Sequence, residues 1–71
     1  MKTIQLKYFT DEQHSWLLKH VGARTHYLMH SIGGEGWVAK KSFEPGMVHT
    51  VWHLTFEDER YATFFRLMYP E

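Results

Sequence analysis

Residues 3–8 alternate between apolar and polar positions, with Ile4, Leu6 and Tyr8 on one side and Thr3, Gln5 and Lys7 on the other. A period of two predicts a half-buried strand, because successive side chains of an extended chain point to opposite faces. The period then changes. Thr10-Asp11-Glu12-Gln13 reads as a capping box, in which the Thr10 hydroxyl accepts the Gln13 amide and the Gln13 side chain returns the bond. Two acids also fall in the first turn, where the helix dipole favours negative charge. In the helix that follows, Gln13, Trp16, Leu17, His20 and Val21 gather on one side, with Asp11, Glu12, Ser15 and Lys19 opposite. Gly22 is expected to end it in the left-handed conformation.

In residues 24–32, His26, Leu28, His30 and Ile32 alternate with Tyr27, Met29 and Ser31. A strand satisfies this pattern, although Leu and Met would also sit in a helix. Gly33-Gly34-Glu35-Gly36 places three glycines in four residues and predicts a loop, so residues 37–43 should pair back as a hairpin. Glu44-Pro45-Gly46 fits a type II turn. Along 48–56, Val48, Thr50, Trp52, Leu54 and Phe56 form one face, expected to be the core face, and His49, Val51, His53 and Thr55 the other. Glu57, Asp58 and Glu59 then open a second helix, in which Tyr61, Phe64, Phe65 and Met68 form a stripe flanked by Ala62 and Leu67. That stripe is expected to be core, with Glu59, Thr63 and Arg66 opposite and Pro70 as the stop.

The predicted order is strand-helix-strand-strand-strand-helix in a single domain, residues 1–71. One-sided helices and one-sided strands are best satisfied by an α+β two-layer sandwich, with both helices on one face of a mostly antiparallel four-stranded sheet. A ferredoxin-like arrangement is the nearest topology, and it would need 67–69 to be extended as a last strand.

Composition narrows the chemistry. At 71 residues a single core supplies little stability, and with no cysteine there is neither a disulfide framework nor a thiolate metal site. Three Trp, four Tyr and five Phe make the chain aromatic-rich and point to dense ring packing or oligomerisation. Not all of Trp16, Tyr27 and Trp37 are expected to fit beneath two short helices. Eight basic and eight acidic residues balance, which disfavours nucleic acid. The chain is also histidine-rich, and protonating all six would move the balance to six positive charges. No apolar run is long enough to cross a membrane, and an intracellular, cytoplasmic protein is expected.

The uncovered sheet face offers the candidate site. Partner contact is expected at Trp37, Lys41, His49, Val51, His53, Gly34 and Glu35, through that face and the glycine hairpin, with another protein or with itself as a homodimer. His26, His30, His49 and His53 are the candidates for a histidine-based metal or small-ligand site; no metal or other cofactor is expected. Two histidines four apart on one strand stand roughly 13 Å apart, so a shared ion would need ligands from neighbouring strands. Lys7, Arg24, Lys40 and Lys41 are the candidates for nucleic-acid contact, although Lys40 and Lys41 should point to opposite faces. His20 is expected to be a buried, hydrogen-bonded histidine. No nucleophile, base and oxyanion donor can be named together, so an enzyme is not expected.

Phe56-Glu57-Asp58-Glu59-Arg60-Tyr61-Ala62-Thr63-Phe64-Phe65-Arg66-Leu67 resembles the endings of short bacteriophage proteins of uncharacterised role, in which a strand runs into an acidic helix start, then Ala-x-x-Phe, then Leu. The resemblance covers about a dozen residues and carries no catalytic ones. It implies a modulator or inhibitor of a host protein, often dimeric, acting inside an infected bacterium.

Overall fold

The computed structural model of the chain describes residues 1–28, 30–43 and 50–70. The elements run β1 (Lys2–Leu6), α1 (Asp11–His20), β2 (Arg24–Leu28), β3 (Ser31–Gly34), β4 (Trp37–Phe43), β5 (Thr50–Phe56) and α2 (Glu59–Met68). Glu44-Pro45-Gly46, Val48 and the candidate residue His49 lie outside the described residues, as does Met29.

The α+β class and the antiparallel sheet agree with the sequence pattern, but the sheet has five strands in the order β1-β5-β4-β3-β2. The single strand expected over 24–32 is two strands that pair antiparallel, Tyr27 against Ile32 and Leu28 against Ser31. Alternation marks the faces of a strand and carries no mark of a reversal between two short ones, which is why the split was invisible in the pattern. The topology also departs from a ferredoxin-like one. β2 to β5 form a meander, β1 closes against β5, and 67–68 are helical rather than extended.

Register explains the two faces. Ile4 pairs with Leu54, Leu54 with Ala39 and Ala39 with Ile32, so one row of apolar side chains crosses four strands on the helix side. Phe56 and Trp37 continue it at one end, and α1 and α2 cover it with Leu17, Ala62 and Phe65. Phe65 packs at a tilt against Phe56 at 5.8 Å and edge-on to Trp16 at 5.7 Å, which joins both helices to the sheet. Burying rings of this size contributes about 1.5–3 kcal/mol each.

The helix ends follow their local chemistry. Thr10 forms both bonds of its capping box with Gln13. Asp58 caps α2 by accepting the Arg60 amide, and the Arg60 guanidinium bonded to the same carboxylate holds its pKa down at about 2. Gly22 is not left-handed, since Gly36, at φ 84°, is the positive-φ residue among those described. Gly22 is instead needed for space. A Cβ there would stand 2.1 Å from the Glu35 carbonyl oxygen, where the β3–β4 turn seats on the end of α1.

Candidate functional site

On the face that the helices leave open, hydroxyl, imidazole and lysine side chains are mixed with Val38, Val51 and Leu28, the last 64% exposed. Thr3 and Thr55 share a hydroxyl hydrogen bond of 2.9 Å, Ser42 Oγ lies 3.0 Å from His53 Nε2, and Ser31 Oγ lies 3.1 Å from His26 Nε2. Val51 and His53 stand on this face, with Lys40 opposite His53, so those parts of the expected surface are brought together. A sheet face of this composition is also one that water covers comfortably.

Other expected contact residues fall elsewhere. Trp37 is 3% exposed and donates its Nε1–H to the Gly22 carbonyl oxygen at 2.9 Å, so it is core. Gly34 lies against that indole, and a Cβ there would come 2.4 Å from Nε1. Lys41 lies on the helix side, its Nζ 5.8 Å from the centre of the Trp52 ring. Glu35 is exposed, but its amide bonds to the Ala23 carbonyl, so the hairpin is docked on the molecule rather than projecting from it.

The metal candidates do not converge. His26 and His53 sit on β2 and β5 with two strands between them, roughly 14 Å apart across three strand spacings. Among the described residues no group of three His, Asp or Glu side chains could hold one ion. The basic candidates are also dispersed: Lys40 faces the open side, Lys41 the helix side, and Arg24 packs on the Tyr27 ring at 5.3 Å.

The buried, hydrogen-bonded histidine expected at position 20 is not found there. His20 is exposed and stacks on Trp16 at 5.2 Å, whereas His14 points inward between Phe9 and Trp37, at 5.9 and 5.8 Å. Its Nε2 is buried and has no hydrogen-bond partner among the described residues. The spacing His14, Leu17, Val21 was as good a helical stripe as the one through His20, and it is the one that faces the sheet. His14 also borders a small cleft of about 290 Å³ walled by Phe9, Tyr27, Lys41 and Trp52.

The largest departure is at α2. Of its expected core stripe only Phe65 is fully buried; Tyr61 is half-buried, and Phe64 and Met68 are 50% and 58% exposed. Leu67 beside them is 75% exposed. Ala62 takes the second buried position because α2 leans over β1 and β5 on its Ala62–Phe65 side, which leaves the rings one step around the helix without a covering element.

Of these exposed apolar side chains, Leu67 and Met68 stand beside the free edge of β1. One open groove of about 860 Å³ is formed by Lys2, Thr3, Ile4 and Gln5 with Glu59, Ala62, Thr63, Arg66 and Leu67. A second, of about 660 Å³, continues past Leu6, Lys7 and Tyr8 to Met68 and Tyr69. β1 is thus bordered by α2 from Lys2 to Gln5, and at Leu6 by the end of α2 together with Thr10 and Gln13 at the start of α1. The opposite edge, β2, is interrupted by an irregularity at Thr25, and such bulges spoil an edge for further pairing. β1 pairs in unbroken register from Lys2 to Leu6.

Compared with protein-family models, with curated proteins and with solved structures, the chain matches none of them. No described helix is long and apolar enough to cross a membrane.

Proposed function

We propose that this chain is a non-enzymatic protein-interaction module whose contact surface is the free edge of β1 together with the adjoining side of α2. The observation that carries the reading is the pairing of a regular edge strand with large apolar side chains in solvent, Leu67 at 75% exposure foremost. An edge strand offers unpaired N–H and C=O groups, and an apolar groove beside it supplies the burial that makes strand addition worthwhile. The uncovered sheet face, favoured by alternation alone, has the weaker claim because its hydroxyls and imidazoles already bond to one another.

The two Ser–His contacts on that face reach hydrogen-bond distance, as a nucleophile and its base would. They read as cross-strand polar pairs. Among the described residues no carboxylate bonds either imidazole, and strand amides committed to a ladder do not form an oxyanion hole.

The test compares the two faces. The wild-type chain, Leu67→Lys and Val51→Lys are immobilised and their bound proteins quantified, with folding checked by circular dichroism. Leu67→Lys is expected to weaken binding about tenfold or more, as loss of one buried leucine predicts, while Val51→Lys binds as wild type. The opposite ranking would move the surface to the open sheet face and overturn the proposal.

A further inference from the structure

We infer that the partner for this surface is a second copy of the chain, joined β1 to β1 about a two-fold axis near Ile4, with the two α2 helices packed antiparallel across it. This rests on the interaction reading above and identifies its partner.

The argument starts from position. α2 packs on β1 and β5 alike, so it lies over the boundary between them. Adding a second β1 at the usual strand spacing of about 4.8 Å places the two-fold axis roughly 2.4 Å beyond β1, and each helix roughly 4.8 Å from it. The two helices then stand about 10 Å apart, at the outer end of the 8–10 Å range of packed helices. Sheet twist accumulated over two strand spacings rotates them by roughly 45°, close to the commonest crossing of about 50°. The core geometry of one copy thus sets its neighbour at packing distance.

Register comes next. Pairing Ile4 with Ile4 of the second copy sets Lys2 opposite Leu6 and Thr3 opposite Gln5, so helix-side residues meet helix-side residues and both sheets keep their faces. No lysine is then set opposite a lysine. On the facing wall of the groove Ala62 and Thr63 stand midway between Glu59 and Arg66.

Charge makes the arrangement self-complementary. Glu59 and Arg66 share the groove wall with Thr63, one on each side of the Ala62–Thr63 midpoint and each about 5 Å along the axis from it. Reversing one helix over the other brings Glu59 against Arg66 of the second copy, and Arg66 against its Glu59. Leu67, on the same wall, is covered in the process. A parallel arrangement would set like charges together, so the charges select the two-fold one.

The test is sedimentation equilibrium of the full chain at low salt, with Glu59→Arg, Arg66→Glu and the double reversal. The wild type is expected to be a dimer. Each single reversal sets like charges together twice per interface and should raise the dissociation constant by about tenfold or more; the double reversal restores it to within a few fold. Hydrogen exchange on the wild type gives an independent reading, since the amides of 2–6 should gain protection with rising chain concentration while those of β2 do not. A wild-type monomer, a dimer indifferent to the single reversals, or a double reversal no better than either single one overturns the inference. If the chain is monomeric yet still captures a protein in a Leu67-dependent way, self-pairing fails and the interaction reading stands; a monomer without such capture removes both.

Discussion

His14 carries a cost that its position makes plain. The ring is held by Phe9 and Trp37, yet its buried Nε2 meets no partner among the described residues. An unsatisfied buried polar atom costs about 1–3 kcal/mol, whereas an apolar ring of similar shape carries no such penalty. His14→Phe is therefore expected to raise stability by about 1 kcal/mol, seen as a higher urea midpoint with an unchanged slope. A loss of stability would mean that Nε2 has a bonding role. Gly22 works in the other direction. Its hydrogens face the Glu35 carbonyl oxygen, a backbone atom with little room to move, so Gly22→Ala should cost about 2–3 kcal/mol in the same denaturation experiment. Gly33 is the contrasting glycine: a Cβ there meets the end of the His26 side chain, which can swing away.

At the scale of elements, local chemistry was the most legible part of the sequence. The Thr10 capping box and the inward set Trp52, Leu54 and Phe56 form as their residue types and spacing predicted, and the acids at 57–59 stand at the start of α2, where Asp58 proves to be the cap. What failed were inferences needing knowledge of the neighbour. Tyr61, Phe64, Phe65 and Met68 make a good helical stripe, but a wheel shows only that they share a side. Whether anything covers that side depends on where α2 lands, and it lands on Ala62 and Phe65. The split of 24–32 into β2 and β3 was hidden for a similar reason, as both halves alternate and neither contains a proline or glycine at the join. The same exposed side is what makes Leu67→Lys informative: the position is solvent-facing in the single chain, so the substitution should leave helix content unchanged while removing association.

For the molecule as a whole, the class was readable and the topology was not. One-sided patterns require a sheet with helices on one face, but they do not say which strand ends up beside which. The candidate surface shifted for that reason. Trp37 and Lys41, which composition marked as contact residues, face the helices, and Leu67 and the β1 edge became visible only once β1 was seen at the margin of the sheet. The order β1-β5-β4-β3-β2 also predicts that charge reversal at Glu59 or Arg66 should act chiefly on assembly, because both line an outer groove rather than the core, with a folding cost of about 0.3–1 kcal/mol from placing the wrong charge at a helix end.

The closure of β1 on β5 has a consequence in time. β2 to β5 are joined in chain order and find one another by short searches, whereas β1 must wait for a neighbour some fifty residues away, Thr3 opposite Thr55. Contacts of such long sequence separation form late, after the loop-closure entropy has been met. Ile4→Val should accordingly leave the refolding rate almost unchanged and appear as faster unfolding, a low fractional effect on the transition state measurable by stopped flow. On a ribosome the first strand made is the last to be placed, and until residue 56 emerges Ile4 and Leu6 remain unpaired.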